Sequence, residues 1–94
     1  MTREEFDHVL KTVSSGTPFR ALLQQHSGSE PTEIRGKIEV GEKAFWLCFN
    51  EGISGETSPN KHSYKNSWVI GANNFSNIKE FSTEPQIVNN YQIY

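Results

Sequence analysis

The residues best suited to chemistry fall in one polar stretch: Lys61, His62 and Lys65, with Tyr64 between the lysines and Trp68 just beyond them. No acidic side chain occurs from residue 57 to residue 78, so this is a locally positive patch. Such a patch could meet a phosphate or an acidic partner, with Tyr64 and Trp68 as stacking surfaces. His62 is the histidine placed in a loop, where an imidazole could act as acid or base near neutral pH. A solvated connection accounts for the same residues without a ligand, and no carboxylate or nucleophile is spaced to work beside His62.

Other candidate groups fail on spacing. In "GISGE", residues 52–56, Ser54 suggests a nucleophile elbow, but Gly55 comes one position early and Glu56 stands where the second glycine is required. Cys48, the single cysteine, lies between Leu47 and Phe49 and reads as a packed thiol; Arg35 across the strand is the nearest cation. His8, His26 and His62 are far apart and lack the carboxylate pattern of a zinc site, so neither a metal nor a cofactor is expected. Asn74-Phe75-Ser76 is a formal glycosylation sequon, read as accidental without an export signal.

Composition narrows the class. Nine basic against eleven acidic side chains give a net charge of −2, too balanced to steer the whole molecule to nucleic acid or an anionic membrane. The first residues lack the basic-then-apolar order of a secretory signal, and no apolar run approaches the ~18–20 residues of a spanning helix. A cytoplasmic protein is expected, with no membrane partner. The 94 residues are expected to form one domain, 1–94, held by packing unless chains associate.

The elements that would position these residues follow from periodicity. Thr2 with Glu5 three residues later is a capping box, and Phe6, Val9, Leu10 and Val13 recur at helical spacing on one stripe. Ser14-Ser15-Gly16 stops this helix. Thr17-Pro18 then reads as a cap and first position of a second helix, with Phe19, Leu22 and Leu23 as its apolar face and His26 near its negative end.

The remainder reads as strands. "EIRGKIEV" alternates strictly, and a two-residue Gly41-Glu42 turn would set Ile38 opposite Phe45, Gly36 opposite Leu47 and Ile34 opposite Phe49. Trp46 then falls on the other side, where it could rest on Lys37 or meet Arg35. "SWVIGA" reads as a third strand. Phe75, Ile78 and Phe81 fit a short helical turn, and the uncharged ending "QIVNNYQIY" reads as a paired last strand carrying Tyr91 and Tyr94.

The expected fold is therefore α+β, an N-terminal helical hairpin packed on one face of a three- to four-stranded antiparallel sheet. The expected function is a non-catalytic interaction or regulatory module that meets a protein partner, or a second copy of itself, through its sheet edge and exposed aromatics. The candidate binding residues are Trp46, Lys61, His62, Tyr64, Lys65, Trp68, Tyr91 and Tyr94, and no catalytic residue is assigned. One alternative is a small enzyme or ligand-binding domain with a pocket under the 50–66 loop. Another is nucleic-acid binding through Lys61 and Lys65, disfavoured by the charge balance.

Overall fold

The structure is a computed structural model describing residues 1–51 and 64–83. Among the described residues it holds one α-helix, a short 3-10 turn and a five-stranded antiparallel sheet. The helix, α1, spans Arg3–Thr12, and the strands are β1, Pro18–Leu23; β2, Thr32–Val40; β3, Phe45–Phe49; β4, Asn66–Ile70; and β5, Ile78–Thr83. Their order across the sheet is β4-β3-β2-β1-β5, so four strands form a meander and β5 returns to the far side of β1.

α1 begins as the capping box dictates. The Glu5 amide donates to the Thr2 hydroxyl at 3.2 Å and the Thr2 amide donates to the Glu5 carboxylate at 2.9 Å. The helix ends one turn before the glycine expected to stop it, because Val13 already takes extended dihedrals. Gly16, at φ 91°, instead turns the chain into the sheet, and its amide donates to the Ile38 carbonyl at 2.7 Å.

The expected second helix is strand β1, which overturns the helical hairpin and makes the fold mostly β. Phe19, Ala21 and Leu23 are buried in strict alternation. That period was hidden because Leu22, an apolar residue, occupies an outer-face position between Glu33 and Glu80, while the small Ala21 occupies an inner one. Pairing on both sides, with β2 and with β5, satisfies the backbone of this segment and outweighs the weak helical signal of Thr17-Pro18. His26 consequently sits in the turn after β1, where its carbonyl accepts from the Ser29 hydroxyl at 2.7 Å.

The β2–β3 hairpin forms, two residues out of the expected register. Gly41 donates to the Ala44 carbonyl at 2.8 Å, so Glu42 and Lys43 are the turn residues, and Ile38 faces Leu47 while Gly36 faces Phe49. A shift of two preserves the faces, and Phe45, Leu47 and Phe49 still point inward. The segment "SWVIGA" supplies β4 as expected.

The helical turn expected from Phe75, Ile78 and Phe81 shrinks to a 3-10 turn, Phe75–Asn77, followed at once by β5. Ile78 pairs with Leu23 and Phe81 with Ala21, with a register shift between Leu22 and Leu23. This bulge lets two residues an odd number apart face the same side, a spacing that resembles a helix when read from sequence alone. The expected closing strand lies outside the described residues.

The sheet curls around its core. Phe45 of β3 and Phe81 of β5 are three strand spacings apart, about 14 Å if the sheet were flat, yet their ring centroids are 6.0 Å apart. Phe6 and Val9 of α1 close the concave side, with the Phe6 ring 5.8 Å from Phe45 and 5.3 Å from Phe75. Buried side chains of this size each contribute about 1.5–3 kcal/mol, so the inner face, rather than the ten-residue helix, carries the stability.

Candidate functional site

The convex outer face is built from the alternate residues of the same strands. Over β1, β2 and β5 it is charged and internally matched. The Glu33 carboxylate accepts from Arg20 and Arg35, each at 2.8 Å, and Arg20 also reaches Glu80 at 3.5 Å. These bonds, Arg35 foremost, hold the Glu33 carboxyl below its ordinary range.

The character changes over β3 and β4. Glu39, Trp46 and Val69 form one cross-strand row, and Lys37, Cys48 and Ser67 form the next. Trp46 and Val69, 39% and 37% exposed, are the large apolar side chains left exposed among the described residues, and they are direct neighbours. The Trp46 ring lies along the hairpin turn: a Cβ on Gly41 would stand 3.1 Å from Trp46 Cζ3. Across β2 its register partner is Glu39, and Arg35 donates to Glu33 at 2.8 Å.

Cys48 is buried although it belongs to the outer face, and burial raises its thiol pKa, with Glu39 adding to the effect. A thiol so placed is a poor nucleophile. Among the described residues no group of three histidine, cysteine or acidic side chains is arranged to hold a metal, and no helix is long and apolar enough to cross a membrane.

The expected binding residues separate. Trp68 sits opposite Leu47 on the inner face and packs against the core, so it cannot share a surface with Trp46. Tyr64 is half-buried and engaged. Lys65 is exposed at the start of β4, its amide donating to Asn50 Oδ1 at 2.9 Å, while Asn66 Nδ2 donates to the Asn50 carbonyl at 3.2 Å. Asn50 therefore ties together the two ends of the long connection. Lys61, His62, Tyr91 and Tyr94 lie outside the described residues.

Two features were missed in the sequence. Val69 was legible in principle, since in "SWVIGA" it has the opposite parity to Trp68 and Ile70 and must share a face with Trp46. The second is an open groove of about 740 Å³ between α1 and the end of β5, walled by Glu4, Glu5, His8 and Val9 on one side and Phe81 and Thr83 on the other. Its strand wall carries Phe81, whose spacing from Phe75 and Ile78 resembles a helical turn. Comparison of this chain with protein-family models, curated proteins and solved structures finds no match.

Proposed function

We infer that the protein is a non-catalytic interaction module, acting in the cytoplasm, that binds a protein partner or a second copy of itself through the β3–β4 part of its outer face. The observation that carries this reading is the adjacency of Trp46 and Val69, both exposed, beside a charged surface whose ion pairs are internally matched. Tryptophan is a frequent anchor of protein interfaces, because one large ring removes much apolar area from water at the cost of few rotatable bonds. A flanking Glu39 and Lys37 give the anchor a polar rim of both signs.

The patch is small, two side chains less than half exposed, whereas a stable interface takes about 800 Å² from each partner. The contact is therefore a transient one centred on Trp46. The test is a photo-reactive amino acid placed at Trp46, and separately at Lys79 as a control on the same chain. A defined adduct, with another copy or with one foreign protein, is expected from position 46 and is expected to disappear when Val69 is changed to Ser. Equal adducts from both positions would overturn the reading. Sedimentation across concentration then decides between self and foreign partner.

A further inference from the structure

We propose that the β3–β4 outer face pairs with the same face of a second copy of this chain, with Trp46 and Val69 of each copy seated on the low end of the other's sheet. This rests on the outer-face reading above and commits it to one partner. The outer positions of these strands fall in rows. Glu39, Trp46 and Val69 form one row, in which Trp46 and Val69 are 39% and 37% exposed. The next row toward the hairpin turn is Gly41, Ala44 and Gly71. There the Gly41 amide donates to the Ala44 carbonyl at 2.8 Å, and a Cβ on Gly71 would stand 3.9 Å from the Ala44 Cβ. The face thus steps from a tryptophan and a valine down to a row that carries nothing larger than a methyl group.

An apolar ridge beside a low row is self-complementary. A two-fold axis lying in the face, across the strands and midway between the two rows, sets Trp46 of each copy over Ala44 of the other and Val69 over Gly71. The Trp46 ring already leans toward the low row, since a Cβ on Gly41 would stand 3.1 Å from Trp46 Cζ3. The same axis brings each hairpin turn toward the row on the far side of Trp46, which is Lys37, Cys48 and Ser67. Glu42, the turn residue that follows β2 and Gly41, then comes opposite Lys37 of the second copy, and both side chains are exposed.

The charges point to a copy rather than to a foreign surface of one sign. Around the contact Lys37 and Lys43 balance Glu39 and Glu42, while Arg35 and Lys65 lie at the next outer positions beyond Lys37 and Ser67. Two copies therefore meet without net repulsion, and the two-fold supplies the Lys37–Glu42 pair twice. Glu39, already engaged within its own chain, faces Gly41 of the copy and needs no new partner. Because the outer face is convex, the contact is confined to these rows and the dimer is weak, with a dissociation constant on the order of 0.1–1 mM.

Sedimentation equilibrium of the full chain, from about 10 µM to about 1 mM, is expected to show monomer and dimer in exchange. Gly71→Leu fills the low row. Gly71 lies outside the left-handed region and its Cβ would make only an ordinary contact, so the urea midpoint should hold while the dissociation constant rises at least about tenfold. Lys37→Glu and Glu42→Lys should each weaken association several-fold, and an equal mixture of the two variants should recover it as a heterodimer, because both opposite-charge pairs are then restored across the axis. A merely structural effect of either substitution would not be repaired by mixing. A parent chain that stays monomeric throughout overturns the pairing; the outer-face reading would then stand or fall separately, on whether position 46 gives a defined foreign adduct. A dimer that Gly71→Leu leaves intact, or a mixture no more associated than either variant alone, also overturns it. Should Gly71→Leu shift the urea midpoint, the charge-swapped mixture decides alone.

Discussion

Gly36 lies against the backbone of Cys48 on the neighbouring strand, so closely that a Cβ built on it would overlap the Cys48 carbonyl oxygen and stand 3.2 Å from the Phe49 Cα. The obstacle is backbone held by the β2–β3 ladder, which cannot swing aside as a side chain can. Gly36→Ala is therefore expected to destabilise the protein by at least about 2 kcal/mol, read from the urea midpoint. Gly41→Ala is the contrast. There the nearest atoms are Trp46 Cζ3 at 3.1 Å and the Ala44 carbonyl oxygen at 3.2 Å, a tight fit rather than an overlap, and the expected cost is smaller, about 1 kcal/mol.

Phe6 joins the helix to the sheet through two ring contacts, with Phe45 and Phe75. Phe6→Ala should cost about 3–5 kcal/mol, since the ring leaves a cavity between rigid neighbours. Leu10, only partly buried, should cost distinctly less on truncation to Ala. Thermal unfolding followed by circular dichroism measures both; equal losses would mean that α1 does not dock through Phe6.

The capping box gives a pH dependence whose sign is fixed. The Thr2 backbone amide, then the Thr2 hydroxyl, stabilise the Glu5 carboxylate and lower its pKa from the ordinary 4.5. A carboxyl with a depressed folded pKa contributes stability above its unfolded value and loses it as pH falls through the folded one. The Tm difference between the parent chain and Glu5→Gln should be constant near neutral pH and should shrink as pH drops below 4.5. A difference that does not change with pH would show that the carboxylate is not the capping group.

Cys48 is 1% exposed and its thiol pKa is raised by burial. Both effects suppress thiolate attack, so a disulfide reagent at pH 8 should react at the rate of global unfolding, many orders slower than with a free thiol. Rapid labelling of the native protein would contradict the packing described for β3.

Local chemistry decides the start of α1 and the faces of the central hairpin. Thr2 and Glu5 announced the start of α1, and the alternation around Ile34 and Ile38 announced β2, because each pattern is complete within a few residues. Trp46 was placed on the correct face for the same reason, even with the register two residues out, since an even shift keeps parity.

The errors came where pairing partners decide. Phe19, Ala21, Leu22 and Leu23 satisfy a helical stripe and a strand alternation about equally, and what selects the strand is hydrogen bonding to β2 on one side and β5 on the other, both remote in sequence. Ile78 and Phe81 share a face because of a bulge, and nothing local signals it. The sequence by itself determined one capped helix and the faces of the central hairpin. Only the tertiary structure decided that Trp46 and Trp68 lie on opposite sides, that Trp46 neighbours Val69, and that the Asn74 side chain bonds the Val69 carbonyl at the end of β4. The physical reason is that faces are set by a period of two along one strand, whereas neighbours and edges are set by which strands pair, and pairing is a property of the whole chain.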